Sequence, residues 1–185
     1  TMRKHFLFIF LSIFSVALYG QSLLNIKHYS VQDGLSQKNI QNFIQDDNGY
    51  IWMATWNGLD RFDGYMFRNF KTYPNSSVRI TNQRFIRIIK TSLNNIWCLT
   101  YDNRLYLFNT HQNKFEDITS YSKNLINSIS KVYALKNGIS WVVGMQNELY
   151  RIDEKKFPSS EAVQIYTNRG NLGNVIYNIL QDKDG

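Results

Sequence analysis

The sequence predicts an all-β fold built from a recurring four-stranded unit. Two observations carry that expectation. Trp52, Trp97 and Trp141 recur at intervals of 45 and 44 residues, each inside a similar pattern of apolar run, turn and apolar run. Between them the apolar runs are short and are separated by turn residues. No window of helical length beyond residue 20 holds a convincing 3.6-residue apolar period, so helix should be scarce.

Each strand of the unit is marked in order. In the first unit, residues 40–44 form an apolar run, Asn48-Gly49 supplies a hairpin turn at positive φ, and the run holding Trp52 ends at Thr55. Asn57-Gly58 marks the next reversal, residues 59–62 a third strand, and Asp63-Gly64 the turn into the alternating aromatic segment 66–73. The second unit repeats this with residues 85–89, 96–100, 105–109 and 115–118. The third does so with 129–135, 139–144, 149–153 and 162–166, with Asn137-Gly138 as its hairpin turn. Residues 175–185 open a fourth unit.

Four short strands in a period of this length are the arithmetic of a β-propeller blade, with the Trp of the second strand filling space between blades. The expected fold is therefore an incomplete β-propeller over 21–185, with repeats at about 31–73, 78–119, 125–167 and 172–185. That is three four-stranded blades and the first strand of a fourth, and the remaining blades of the same chain are its expected partners. Residues 25–30 resemble the fourth-strand segments and are expected to form an outer strand that completes the last blade.

Residues 1–20 hold Arg3 and Lys4, no acid, and an apolar stretch from Phe6 to Leu18 too short to span a bilayer, which is the layout of an export signal peptide. The remainder carries 19 basic and 14 acidic side chains without a clustered basic window, which argues against nucleic acid. The one cysteine, Cys98, excludes a disulfide framework, and His28 and His111 lack metal-ligand spacing, so neither metal nor cofactor is expected. The acidic pairs Asp46/Asp47, Asp60/Asp63 and Asp182/Asp184 flank glycine turns, where aspartate is ordinary turn chemistry, and no catalytic residue is assigned.

Ligand binding has better support. The loops joining second to third strands, and fourth strands to the next unit, gather at one end of a propeller. Here they present Trp56, Asn57, Arg84, Tyr101, Asp102, Arg104 and Gln146. Aromatic faces beside amides and charges suit a sugar, whose apolar face stacks while its hydroxyls hydrogen-bond.

The stretch 46–55, followed by Asn57-Gly58-Leu59-Asp60-Arg61-Phe62-Asp63-Gly64, resembles the two-component regulator propeller repeat, and residues 33–40 resemble its usual opening. The second unit departs, with Asn95 for the glycine and Leu99-Thr100 for Gly-Thr. The third keeps Gly138 and Trp141 but has Val143-Gly144 and no threonine. The resemblance covers roughly 23–185. It implies the periplasmic sensor region of a Bacteroidetes-type hybrid two-component system. It further implies an oligosaccharide ligand released from a polysaccharide, a homodimeric receptor, and a histidine kinase beyond the membrane rather than an enzyme in this segment. A secreted propeller lyase or hydrolase, or a protein-interaction propeller, are the alternatives.

Overall fold

A computed structural model describes residues 26–73, 76, 78, 80–118, 128–146, 148–166 and 176–182. The expected signal peptide, Asn25, Val175, residues 183–185 and the repeat boundaries falling within 119–127 and 167–175 lie outside the described residues.

Among the described residues, twelve strands form three antiparallel sheets, each a simple up-and-down meander in chain order. The first holds β1 (Ile40–Gln45), β2 (Ile51–Thr55), β3 (Gly58–Phe62) and β4 (Phe67–Phe70). The second holds β5 (Phe85–Lys90), β6 (Ile96–Thr100), β7 (Leu105–Asn109) and β8 (Lys114–Asp117). The third holds β9 (Ile129–Ala134), β10 (Ile139–Gly144), β11 (Leu149–Asp153) and β12 (Val163–Tyr166). Helix among the described residues is confined to single 3-10 turns such as Val31–Asp33 and Glu154–Lys156. The sheets share one irregularity. The first strand of each shifts register near its start, between Ile40 and Asn42, between Phe85 and Arg87, and opposite Val143/Gly144 in the third. A bulge there increases local twist in three equivalent places.

The two-residue period of a strand decides how the sheets stack, because alternate side chains point to opposite faces. In the second sheet Phe85, Ile88, Ile96, Cys98, Tyr106, Phe108 and Phe115 join Trp52, Leu59 and Phe70 of the first sheet in one core. The residues between them, Trp97, Leu99, Leu105 and Leu107, join Val142, Tyr150 and Ile152 of the third sheet in another. The middle sheet is buried on both faces, and the three sheets stack as successive wedges of a β-propeller.

The outer faces of the stack are treated differently. Over the first sheet lies the lead-in segment, where Tyr29 meets Phe62 and Phe67 edge-on at 4.8 and 5.5 Å and Leu35 is buried. Ser36 donates its N–H and hydroxyl to Asp60 at 2.9 and 2.8 Å. The expected outer strand at 25–30 is thus not a strand where described. Residues 26–30 run as coil held by aromatic contacts rather than by a ladder. Residues 176–182 likewise carry no strand, since the ladder partner in this pattern is the second strand of the same unit. They nevertheless lie beside β9. Lys131 Nζ reaches the carbonyls of Ile176 and Tyr177 at 3.3 and 3.1 Å, and Gln181 Oε1 accepts the Lys136 N–H at 3.0 Å.

Two turn expectations need correction. Asn137 and Gly138 both take positive φ, as expected (61° and 77°). At Asn48-Gly49 only Gly49 does, and there Asp46 shapes the loop: its carbonyl accepts the Gly49 N–H and its carboxylate the Asn48 N–H. In the second sheet the left-handed position falls on Asn94 (φ 60°), one residue before Asn95. Asparagine tolerates that conformation better than other side chains, which is why the missing glycine leaves the turn intact.

Candidate functional site

Turns of a meander alternate between its two ends, so the β2–β3, β6–β7 and β10–β11 turns share one end with the segments that enter β5 and β9. Hydrogen bonds join these pieces. The Gly58 N–H is accepted by Gln83 O (3.0 Å), Tyr101 N–H by Arg84 O (2.8 Å), Ile129 N–H by Asn103 O (2.8 Å) and Met145 N–H by Ser128 O (2.9 Å). This face is a continuous, internally bonded surface across three sheets.

Each turn is shaped by a polar side chain, buried in the first two sheets and half-buried in the third. Thr55 Oγ1 accepts the Asn57 N–H at 3.1 Å and donates to Gly58 O at 2.9 Å. Thr100 Oγ1 accepts the Arg104 N–H and donates to Asp102 Oδ1 at 2.6 Å. The third sheet has Gly144 there, and Glu148 supplies the acceptor, its Oε2 taking the Gln146 N–H at 3.2 Å. The residue directly after each of these anchors is large, apolar and exposed: Trp56 at 42%, Tyr101 at 62% and Met145 at 59%. An exposed apolar group at one equivalent position in every sheet is the main feature of this face, since exposed apolar patches mark contact surfaces.

Of the residues expected to bind ligand, Trp56, Arg84 and Tyr101 come together. The Arg84 guanidinium lies over the Trp56 ring, 5.5 Å from its centroid, and Arg84 O holds Tyr101 N. Asp102 and Arg104 form an ion pair at 3.7 Å. Asn57 is partly committed to structure, its Nδ2 reaching Ser36 O at 3.4 Å and its carbonyl accepting Asn69 Nδ2 at 3.2 Å. Gln146 stays in the turn of the third sheet, and among the described residues no contact links its side chain to Trp56, Arg84 or Tyr101. Met145 is the residue that loop composition missed. Trp56, Tyr101 and Met145 follow one another at intervals of 45 and 44 residues, the same as the strand tryptophans, and that spacing would have identified it. Asn103 Nδ2 approaches its sulfur at 3.7 Å.

The paired carboxylates have other occupations. Asp46 Oδ1 accepts the Asn48 and Tyr50 N–H groups and its Oδ2 accepts Trp52 Nε1 at 2.8 Å. Asp60 is fully buried, holding Ser36 and Asn69. Asp63 caps a turn, and the Met66 and Tyr65 N–H groups hold its carboxyl below the usual range. Burial pushes the Cys98 thiol far up, leaving it a small core residue. Among the described residues no three metal-ligating side chains converge.

Residues 34–57 match the family described as two-component regulator propeller. Over 80 residues the chain is 30% identical to a histidine kinase P4 of Formosa agariphila, an alignment that covers 38% of this chain and 6% of that protein. Two solved structures share the fold, both extracellular domains from B. thetaiotaomicron. The domain named for a hybrid two-component system has a TM-score of 0.56 and 22% identity, over 69% of this chain and 18% of that one. The domain named for a one-component system has a TM-score of 0.55 and 14% identity, over 75% of this chain and 21% of that one. The chain thus spans about a fifth of either solved domain.

Proposed function

We propose that this chain, which carries the two-component regulator propeller repeat and folds as stacked propeller blades, is part of the extracytoplasmic sensor of a hybrid two-component histidine kinase that reads an oligosaccharide. The observation that carries the reading is the row of exposed Trp56, Tyr101 and Met145 on one bonded face, with Arg84 laid against the first of them. Flat apolar groups beside a guanidinium and turn amides form a surface on which sugar rings stack and hydroxyls find partners. The similar extracellular domains and the histidine kinase relative support an extracytoplasmic sensor; export by the amino-terminal signal to the periplasm and a homodimeric receptor are part of the same proposal. Ligand would act by favouring one arrangement of the two sensor chains, and it moves the equilibrium only as far as it binds that arrangement better.

Calorimetric titration of the full-length protein with a panel of neutral and acidic oligosaccharides tests the reading. Binding is expected with one of them, weakened about tenfold or more by Trp56→Ala or Tyr101→Ala, whose exposure leaves the fold unaffected. Turnover of a saccharide without a binding-linked kinase response would replace the sensor with an enzyme.

A further inference from the structure

The geometry points to a ligand that carries an oxyanion, a carboxylate or sulfate on the saccharide, held by Arg84; the inference rests on the saccharide reading above and narrows it to a charged class. The backbone from which Arg84 projects is fixed by five hydrogen bonds. Asn82 Oδ1 accepts its N–H at 3.0 Å, and its carbonyl accepts the Tyr101 N–H at 2.8 Å. The preceding Gln83 clasps Thr72 with both ends of its amide, at 3.2 and 2.8 Å, and its own carbonyl accepts the Gly58 N–H at 3.0 Å. Such bracing is unusual for an exposed loop and confines what is left free to the side chain itself.

That side chain has a defined place and an unmet charge. The guanidinium covers Trp56, while among the described residues no carboxylate lies within ion-pairing distance of it. Arg104 on the same face is by contrast already paired with Asp102. The guanidinium carbon lies 5.5 Å from the indole centroid, and among the described residues no acceptor takes its N–H fork. A fork of that shape matches the two oxygens of a carboxylate or sulfate. Tyr101, one turn along the same bonded surface, offers the adjoining sugar ring a flat partner.

The test uses three probes on the full-length protein: tetragalacturonate, a sulfated galactan tetrasaccharide and uncharged galactotetraose. At least one acidic probe is expected to bind, more tightly than the uncharged one, with affinity falling as salt rises. Arg84→Ala should weaken it about tenfold or more, and Arg84→Lys, which keeps the charge but not the fork, should restore only part. An unchanged melting temperature for both variants shows that the fold is not the cause. The two acidic arms distinguish carboxylate from sulfate. Equal or tighter binding of galactotetraose, or an acidic probe indifferent to Arg84→Ala, overturns the oxyanion while leaving the saccharide reading in place. Absence of binding by all three and by the wider panel overturns both.

Discussion

The interface between the first and second sheets and that between the second and third are built around equivalent tryptophans, yet they anchor them in opposite ways. Trp52 donates its Nε1–H to Asp46, a residue of its own sheet's hairpin turn. In the second sheet the position of Asp46 is taken by Thr91. Its hydroxyl still accepts the two turn N–H groups, from Leu93 and Asn95 at 3.2 Å each. It cannot serve the indole as well, and Trp97 Nε1 turns to Ser140 of the third sheet at 2.8 Å. A carboxylate is present here too, but it comes from the neighbour: Glu154, buried, accepts from Thr91 and Asn95 and faces Ser140. The same apolar wedge is thus locked from within in one place and from the adjacent blade in the other. The first sheet should be the more self-sufficient unit, and the second and third should open together.

The largest effect expected from this comparison is at the indoles. Trp97 is fully buried, so Trp97→Ala should cost about 3–5 kcal/mol of unfolding free energy. Trp141, its equivalent on the outer face of the third sheet, is half-buried and leans on Tyr166, and its removal should cost clearly less. Urea denaturation of both variants decides it. Equal costs would mean that the outer face of the third sheet is as well covered as its inner one.

Asp46→Ala comes next. It strands three donors, those of Asn48, Tyr50 and Trp52, and should cost about 2–3 kcal/mol, confined to the first sheet. Ser140→Ala removes the indole's acceptor and a long hydrogen bond to Glu154 and should cost about 1–2 kcal/mol, but it should loosen two sheets at once. Hydrogen exchange reads the difference: faster exchange limited to β1 and β2 in the first variant, and spread over β6 and β10 in the second. The same spread in both would break the proposed asymmetry.

The propeller architecture was legible because its signals are periodic. The tryptophan spacing and the two-residue alternation directly specify which side chain goes to which interface. Where a unit departs from the repeat, other side chains take over the missing contacts. Asn94 holds the left-handed position without glycine. Gly144 lacks the threonine hydroxyl, yet Glu148 at the close of the same turn accepts the Gln146 N–H, the counterpart of the Asn57 N–H that Thr55 accepts. A Cβ at position 144 would lie 2.2 Å from the Glu148 carboxylate, so the two residues are alternatives for one space. Glu148→Ala alone should cost about 1 kcal/mol and Gly144→Thr alone should be destabilising. The double variant restores a threonine anchor, and its cost should fall below the sum of the two by at least about 0.5 kcal/mol. Compensation of this kind is spatial, and a comparison of aligned positions does not contain it. The binding face was half legible for a related reason: loop composition found Trp56, Arg84 and Tyr101, but Met145 has no sugar-like chemistry and is significant only through its position.

The smallest effect expected is a change of slope with pH, and it separates the two carboxylate-bearing interfaces. Burial raises the Glu154 carboxyl above the ordinary glutamate value of 4.5; donors from Thr91, Asn95 and Ser140 oppose the rise, and neighbouring Asp153 adds to it. A carboxyl whose folded-state value is raised favours the protonated form in the native state. Its contribution is therefore most favourable below 4.5 and is lost as pH climbs from there through the raised value. Glu154→Gln keeps an acceptor for Thr91 while removing the titration, so stability should become flatter with pH above 4.5, with little change at the acid end. The measurement is a series of urea midpoints from acid to neutral pH. A wild-type curve that rises with pH across that window, or a glutamine variant with an unchanged slope, would show that the carboxylate between the second and third sheets is held as an ion by its donors, and the contrast between the two interfaces would reduce to geometry alone.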